Sequence, residues 1–397
     1  MPADGGRENA LTACEMESGW RHSSLSSSWE KLVGALPRAL PRRAPVPHDG
    51  PVTTDLTTSA PATGPPTLDE VALLAGVSRA TVSRVVNESP KVSPEARVAV
   101  QAAIAQLRYV PNRMARSLVT RRTDTIALVL SEPNSQVFSD PFFASIVHGV
   151  SAALAETELT LVLLTARDAR EQQKIARYAR QGHVDGVVLM SLHSEDLLPD
   201  ILTEAGVPLV LCGRPYDGRS VAYVDADNQG GARVATEHLI GLGRSRVAVL
   251  TGPMDMIAGV DRHAGWVAAT TDAGRRPDPA LVAHGDFTEA GGEAAMARLL
   301  DQAPDLDAVF VASDPMAVGA LRALRAAGRR VPEDVAVVGF DDADVALTSD
   351  PPLTTVAQPL DVMTTELVEL LGRQIDGRAE PAESRTCPTR LVRRGSA

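Results

Sequence analysis

The chain has 397 residues and a formal net charge of −11 at neutral pH, a length that predicts two or three domains. No apolar run reaches the roughly 18 residues needed to cross a bilayer, and the N-terminus lacks the basic-then-apolar order of a secretion signal. The three cysteines, Cys14, Cys212 and Cys387, are too scattered for a disulfide framework or a zinc site. We therefore expect a cytoplasmic protein with no metal, cofactor or membrane partner.

Residues 1–66 differ in composition from the rest of the chain. They are rich in Pro, Ser, Ala, Gly and Thr without a sustained period, and residues 35–66 are especially rich in proline, which predicts disorder. Only the region from Trp29 to Leu40 allows a brief helix. Two interpretations stay open for this leader: a flexible tail, or a translation start placed too far upstream, with Val52 as an alternative initiator.

Residues 67–93 predict a short helix, a tight turn and a second short helix. Thr67 and Glu70 have the spacing of a capping box, in which a hydroxyl and a carboxylate satisfy free backbone N–H groups of the first turn. Gly76 ends the first helix, where a residue without Cβ tolerates a positive φ, and Ser78 caps the second helix. An element of this form suits the major groove of DNA.

Apolar residues recur at helical spacing in these two helices and in a third, which begins at Ser93-Pro94-Glu95. They predict one small core. The inward positions are Val71, Leu74, Ala75, Val82, Val85, Val86, Ala96, Val100, Ala103, Ile104 and Leu107. The outer side of the second helix carries Arg79, Ala80, Thr81, Ser83 and Arg84. A generic helical bundle would show the same pattern, so the pattern alone does not establish DNA binding.

The charge of this region supports DNA binding. Nine basic and four acidic residues between Thr67 and Arg122 give a net charge of +5, so the remainder of the chain carries −16. Local positive charge attracts the phosphate backbone in a salt-dependent way. We therefore expect this head to bind nucleic acid and the acidic remainder to have a separate task.

Ordered motifs carry a family resemblance. The head contains V-A-x-x-A-G-V-S-x-x-T-V-S-R-V-x-N from Val71 to Asn87 and Y-x-P-N-x-x-A-R-x-L from Tyr109 to Leu118. Later matches are Val184-Asp-Gly186, His238-Leu-Ile-Gly-Leu-Gly243, Val331-Pro-Glu-Asp-Val335, Val338-Gly-Phe-Asp-Asp342 and Pro352-Leu-Thr-Thr355. In this order, the chain resembles the lac repressor (LacI/GalR) family of bacterial transcription regulators from about Thr67 to the C-terminus.

The resemblance implies roles on DNA for residues 67–122, a helix-turn-helix domain. The positions that meet base edges are matched by Arg79, Ala80 and Arg84. An arginine can bond a guanine through two hydrogen bonds. Phosphate-contacting positions, which fix register without reading sequence, are matched by Thr67, Ser78, Thr81, Ser83, Asn87 and Ser93.

Residues 112–118 resemble the hinge helix of the family, which orders on operator DNA. The predicted hinge and minor-groove residues are Asn112, Ala115 and Leu118. Leu118 matches a leucine wedge that enters the minor groove and opens a base step. Ordinary packing of a linker is the alternative for this leucine.

Residues 123–397 show apolar strand patterns that alternate with helical ones. The predicted strands are 125–130, 159–164, 186–190, 207–212, 247–250, 308–311 and 335–339. Alternation of this kind predicts parallel sheets covered by helices on both faces. Two α/β subdomains with a cleft between them fit the length, and the resemblance implies this periplasmic-binding-protein-like architecture. It also implies three chain crossings between the subdomains, near 223–227, near Gln358 and close to the C-terminus.

Ligands of open α/β sheets bind beyond the carboxyl ends of the strands, and the resemblance places an effector site there. Arg262 and Asp341 match the family's effector-binding arginine and aspartate. A guanidinium donates and a carboxylate accepts hydrogen bonds, which together suit vicinal hydroxyl groups. The predicted effector-binding residues are Phe143, Arg262, Phe287, Ser313, Asp341 and Gln358. Asp342 is a further candidate, with helix capping as its alternative. Ser313 and Leu360 stand where some sugar-binding members carry an asparagine and an aromatic residue, which leaves the effector's identity open.

The sequence therefore predicts a transcriptional regulator, most often a repressor, that binds a palindromic operator as a homodimer and responds to a small molecule, a sugar or related polyol. The tail from Pro388 to Ala397 lacks a leucine heptad, which argues against a tetramer. A sugar-binding transport protein is the alternative, disfavoured by the basic head and the missing secretion signal. An enzyme is not expected, since the chain contains no G-x-S-x-G, P-loop, H-E-x-x-H or G-x-G-x-x-G motif.

Overall fold

The computed structural model describes residues 66–87, 89–110, 122–379 and 382–397. They belong to one compact unit, Pro65–Ala397. Several sequence-based expectations fall outside the described residues and remain predictions. These are the disordered leader, the brief helix from Trp29 to Leu40, and the hinge residues Asn112, Ala115 and Leu118.

The described part of the head contains three helices. Their bounds are α1 (Leu68–Ala75), α2 (Arg79–Val86) and α3 (Pro94–Leu107). The predicted capping box is present, because Glu70 N–H donates to Thr67 Oγ1 at 3.3 Å and Thr67 N–H donates to Glu70 Oε2 at 2.7 Å. Gly76 ends α1 with a φ of 65°, and the hydroxyls of Ser78 and Ser93 cap α2 and α3. The local sequence thus sets where each of these helices begins.

The head buries a small apolar core. Its fully buried residues are Val71, Val82 and Val100. The predicted inward position of Leu74 is wrong, since its side chain is 44% exposed and Ala72 is buried instead. The inward stripe of α1 follows the i, i+3, i+4, i+7 spacing that starts at Leu68, which leaves Leu74 beyond its edge. The other predicted inward residues are buried or partly buried.

The first lobe of the body is a parallel sheet between helices. Its strands are β1 (Thr125–Leu130), β2 (Thr160–Thr165), β3 (Gly186–Met190), β4 (Leu209–Cys212), β5 (Ala222–Ala226) and β11 (Ser384–Cys387), in the spatial order β11-β5-β4-β3-β1-β2. Its helices are α4 (Asn134–Ser139), α5 (Pro141–Leu154), α6 (Ala169–Arg180), α7 (Leu198–Glu204) and α13 (Leu360–Ile375). β4 begins two residues later than expected because Pro208, which precedes it, has no N–H to donate.

The second lobe repeats this plan. Its strands are β6 (Val247–Thr251), β7 (Val282–His284), β8 (Ala308–Val311), β9 (Ala336–Asp341), β10 (Thr354–Ala357) and β12 (Arg390–Val392), in the order β12-β10-β9-β8-β6-β7. Its helices are α8 (Asn228–Gly241), α9 (Ile257–Asp272), the 3-10 turn Pro279–Leu281, α10 (Glu289–Gln302), α11 (Asp314–Ala326) and α12 (Asp344–Thr348). The strands are parallel except β12, which runs antiparallel to β10.

The predicted two-lobed α/β architecture and its three crossings are confirmed. The chain passes from the first sheet to the second after β5, returns after β10 at Gln358, and crosses again between Cys387 and Arg390. The second lobe is packed around three large buried rings, Trp266, Phe310 and Phe340. Among the described residues, no helix is long and apolar enough to span a membrane.

Candidate functional site

A cavity lies between the two lobes, at the carboxyl ends of their strands. Its empty space, including the part open to solvent, is about 850 Å³. Met190, Cys212 and Asp225 line it from the first lobe, at or near the ends of β3, β4 and β5. Ser313 and Asp341 line it from the second lobe, just after β8 and at the end of β9. This is the position at which open α/β sheets bind ligands.

The six residues predicted to bind an effector all line this cavity. They are Phe143, Arg262, Phe287, Ser313, Asp341 and Gln358. Each stands on a different element or loop, so only the folded chain brings them together. Asp341 reaches the cavity because β9 extends two residues beyond the predicted strand end and finishes at this aspartate.

Arg262 is the most firmly held of these side chains. It projects from α9 and is 6% exposed. Its Nε donates to Asn228 Oδ1 at 2.9 Å and its Nη1 donates to the Ala312 carbonyl at 2.5 Å. The guanidinium carbon lies 3.8 Å from the centroid of the Phe340 ring, within the range of a cation–π interaction. The cation is therefore fixed before any ligand arrives.

Asp341 is the carboxylate partner of this arginine. Its Oδ1 lies 3.4 Å from Arg262 Nη1 and accepts a hydrogen bond from Gln358 Nε2 at 2.7 Å. Burial raises the pKa of Asp341 to about 7, although the charge of Arg262 opposes this shift. Burial also raises the pKa of the neighbouring Asp314, helped by the charge of Asp341. The pair therefore offers a ligand a fixed hydrogen-bond donor, Arg262, beside an acceptor, Asp341, whose protonation state depends on its surroundings.

The cavity wall contains polar residues that the sequence analysis missed. Asp140 caps α5, accepting from Phe142 N–H at 2.9 Å, and burial raises its pKa. Burial raises the pKa of Asp225 to about 6, and Asn228 Nδ2 donates to Asp225 Oδ1 at 3.0 Å. The sequence predicts a crossing between the lobes at the end of β5, and a carboxylate next to such a crossing is the signal that points to Asp225. For Asp140, the sequence shows only an aspartate before a proline, a pattern typical of a helix cap that does not point to a cavity.

The rest of the wall is largely apolar. Besides the two predicted phenylalanines, its apolar residues include Phe142, Met190, Leu192, Met256, Ile257 and Met363. A few fixed polar groups within an apolar wall are typical of small-molecule sites. The combination suits a ligand with both hydroxyl groups and hydrocarbon faces.

Two side-chain pairs join the lobes beside the cavity. Arg214, which follows β4, donates through Nη2 to both carboxylate oxygens of Asp261 on α9, at 2.6 and 2.8 Å. His193, which follows β3, has its Nδ1 2.7 Å from Asp255 Oδ2. A single β-bridge between His193 and Met256 adds backbone contact. The cleft therefore has defined contacts on both of its walls.

The further candidate Asp342 and the position of Leu360, where some family members carry an aromatic residue, do not line the cavity. Asp342 is paired with Arg394, whose Nη2 donates to Asp342 Oδ1 at 2.5 Å. Leu360 packs against the apolar core of the first lobe. Neither side chain supplies a polar group to the cavity.

The predicted DNA-contacting residues lie on the surface of the head. Arg79, Ala80 and Arg84 are exposed on α2. Arg79 Nη1 lies 3.4 Å from Asp69 Oδ2, with both side chains 68% exposed, and such a pair contributes little to stability. The predicted phosphate-contacting residues, all exposed or partly exposed, are Thr67, Ser78, Thr81, Ser83, Asn87 and Ser93. These side chains are available to a partner without unfolding.

Comparisons with known proteins assign both parts of the chain. Residues 67–112 match the family model of bacterial regulatory proteins, lacI family, and residues 236–397 match a periplasmic binding protein-like domain. The HTH-type transcriptional regulator CelR of Thermobifida fusca is 54% identical over 329 residues, which cover 82% of this chain and 95% of CelR.

Two solved structures are similar over most of the chain. A complex of the transcriptional regulator CelR with cellobiose has 51% identity and a TM-score of 0.68, covering 84% of this chain and all of the other. The lac repressor dimer bound to operator and the anti-inducer ONPF has 28% identity and a TM-score of 0.74, covering 84% of this chain and 99% of the other.

A helix-turn-helix head joined to a two-lobed α/β body with a cavity between the lobes defines a class of DNA-binding transcriptional regulators. The chain belongs to the LacI family of these bacterial regulatory proteins. The family resemblance and the fold inferred from the sequence are thereby confirmed.

Proposed function

We propose that this regulator is a repressor whose effector is a short glucose oligosaccharide such as cellobiose, bound in the cavity between the lobes. The observation that carries the proposal is the fixed Arg262–Asp341 pair, 3.4 Å apart, in a cavity that also offers apolar surface. Arg262 can donate to one hydroxyl while Asp341 accepts from its neighbour. Phe143 and Phe287 offer apolar surface to the C–H faces of a pyranose. The cellobiose complex of the similar regulator CelR supports this choice of ligand.

The lining residues come from both lobes, which gives the effector a way to act. A ligand that contacts Asp140 and Asp225 of the first lobe and Arg262 of the second stabilises the closed cleft. It can shift the protein only by binding the closed form more tightly than the open one. In a homodimer, closing both clefts changes the spacing of the two heads and hence their fit to the operator.

The head supplies the DNA contacts in this proposal. Arg79, Ala80 and Arg84 meet base edges, and the six phosphate-contacting residues fix the register. A two-fold homodimer matches a palindromic operator, since each head reads one half-site. In this proposal the protein acts on DNA in the cytoplasm. The body then serves as a sensor and not as an enzyme.

A ligand screen tests the effector. Thermal unfolding of the full-length protein is followed with cellobiose, glucose, ribose, lactose and buffer alone. A ligand that binds only the native state raises the melting temperature, so cellobiose should give the largest rise, and calorimetry should then show one site in each protomer. A rise with ribose and none with cellobiose would contradict the proposed effector. Absence of catalysis is checked in the same samples, in which cellobiose should remain intact.

The hinge residue Leu118 provides the sharpest test of the DNA contacts. Leu118→Ala removes the proposed wedge from the minor groove. It should weaken binding to a selected operator about tenfold or more, as for a lost base-pair contact. Binding to random duplex should stay near normal, because that binding depends on phosphate charge. Anisotropy titrations with both duplexes measure this, and equal losses on the two would contradict the wedge.

A further inference from the structure

The turn that carries Asp341 has an unusual backbone. Asp341 has a φ of 111° and Asp342 a φ of 58°, conformations that residues with a Cβ adopt at a cost. Two successive residues of this kind persist only where their surroundings hold them. Because Asp341 supplies the carboxylate beside Arg262, the shape of this turn decides where that carboxylate lies.

Arg394 holds the turn from the C-terminal segment. Its guanidinium pairs with Asp342 at 2.5 Å, and the two side chains are 15% and 21% exposed. Its Nη1 donates to the Leu353 carbonyl at 2.8 Å, and its backbone N–H donates to Thr354 Oγ1 at 2.9 Å. Hydrogen bonds between charged groups are stronger than neutral ones, and partial burial protects this pair from screening.

The segment that bears Arg394 is itself anchored. Ser396 is fully buried. Its Oγ accepts from Thr354 N–H at 2.8 Å and donates to the Val337 carbonyl at 2.7 Å. Val337 N–H donates in turn to the Ser396 carbonyl at 2.9 Å. The segment that carries Arg394 is therefore fixed to the sheet of the second lobe, in which β9 ends at Asp341.

We infer that Arg394 is a positioning residue of the effector site. By pairing with Asp342, it keeps the left-handed turn in the shape that directs the Asp341 carboxylate to the cavity. The inference rests on the proposed function, because this position matters to an effector only if the effector binds there. If the ion pair contributed only to stability, its loss would leave the conformation of the turn unchanged.

Glycine at position 342 separates these two roles. Glycine adopts a φ of 58° without the cost that a Cβ imposes, so the turn should keep its shape without Arg394. An ion pair that contributes only stability would be relieved equally by glycine and by alanine at position 342, because both remove the unpaired carboxylate, whereas only glycine adopts the positive φ without cost. The variants compared are Arg394→Ala, Arg394→Ala with Asp342→Gly, Arg394→Ala with Asp342→Ala, and Arg393→Ala, which removes the exposed neighbouring arginine as a matched control.

Hydrogen exchange of the unliganded full-length protein reads the turn directly. Ala343 N–H donates to Asp314 Oδ2 at 2.9 Å and is the reporter. Arg394→Ala should speed its exchange about tenfold, as expected when a local opening becomes easier. The glycine double variant should return to the wild-type rate, and Arg393→Ala should match it throughout. Unchanged exchange in Arg394→Ala would overturn the inference, whatever the ligand results.

Calorimetry with cellobiose connects the turn to binding. Arg394→Ala should weaken cellobiose about tenfold, the loss expected when hydrogen bonds to one charged group are weakened, and the glycine double variant should recover. A loss that glycine does not rescue, or that alanine at position 342 rescues equally, would overturn the positioning role in favour of general stability. If the wild type binds no cellobiose while exchange changes as expected, the positioning of Asp341 stands and the proposed effector is wrong. Operator affinity without effector should be equal in all variants.

Discussion

The DNA-reading head and the interlobe cavity use arginine in opposite ways. The Arg79 side chain is 68% exposed, and its only described carboxylate partner, Asp69, is equally exposed. The Arg262 side chain is 7% exposed and is held by Asn228, the Ala312 carbonyl and the Phe340 ring. The first is free to adapt, whereas the second is fixed.

The difference fits what each region is proposed to bind. A DNA duplex carries a dense row of phosphate charges. Solvent-exposed arginine side chains are sufficient to attract it, because they neutralise phosphates and so release the counterions bound to the DNA. A neutral sugar brings only hydroxyl groups, and each hydrogen bond to it replaces one to water. The polar groups of the cavity must therefore be held in place and partly shielded from water before the sugar binds, which lowers the entropic cost of binding. We therefore expect substitutions of fixed cavity residues to lower both stability and the effector response. Substitutions of exposed residues on the head should lower DNA affinity with little effect on stability.

The largest effect is expected at the fixed arginine. Arg262→Ala leaves Asp341 without its cation and should lower the free energy of unfolding by about 3 kcal/mol, as for a broken buried pair. Because burial raises the pKa of Asp341 to about 7, protonation of this carboxyl limits the loss. The effector response should disappear while operator binding without effector stays near normal.

Urea denaturation and operator titrations with and without cellobiose measure these effects. Arg276→Ala, at an exposed arginine of the same lobe, is the control and should change neither. A variant of Arg262 that still responds at the wild-type cellobiose concentration would show that the effector binds elsewhere.

Arg84→Ala tests the opposite behaviour in the head. Loss of a bidentate base contact should cost about 1–3 kcal/mol of operator affinity and relax the sequence preference at one position. Stability should change by less than about 0.5 kcal/mol, since the side chain is exposed. Lys91→Ala, a change of the same charge outside α2, should leave the preference intact. Selection from a randomised duplex pool measures it, and an unchanged preference in Arg84→Ala would refute the base contact.

The contact between the lobes should depend on pH. Hydrogen bonds to Glu132 and Asp255 raise the pKa of His193 to about 9. A raised pKa means that the protonated histidine stabilises the contact fully below its ordinary pKa of 6.5 and loses this effect as the pH rises through 9. Because the side chain is 31% exposed, the effect on cellobiose affinity should be only roughly threefold.

Calorimetry between pH 7 and pH 10 checks this expectation. His193→Gln keeps a polar side chain of similar reach but cannot titrate, so its affinity should not show the step near pH 9. The same step in both proteins would assign the pH dependence to another group.

The smallest effect is expected at the exposed leucine of the head. Leu74→Ser should change stability by less than about 0.5 kcal/mol, because its side chain already contacts water. Val71→Ala, which creates a cavity in the core, should cost about 2 kcal/mol. Thermal unfolding of the two variants compares them directly. A larger loss for Leu74→Ser would mean that this surface is covered by another part of the assembly.

Local features of this protein can be predicted from its amino-acid sequence. The capping box of Thr67 and Glu70, the left-handed Gly76 and the buried strand runs depend on neighbours a few residues away, so spacing and residue type are enough to predict them. The order of the motifs, through the family resemblance, also predicts the fold and the candidate site residues Arg262, Asp341 and Gln358. A family pattern carries information about contacts that the residues of one chain alone do not show.

Contacts between groups that are distant in the sequence depend on the folded arrangement of the elements. Asp140, Asp225 and Asn228 join the cavity because two sheets end at the same cleft, and Arg394 meets Asp342 across 52 positions of chain. Side-chain contacts of this kind are set by packing between elements, and neither helical period nor charge pattern specifies how elements are placed against each other.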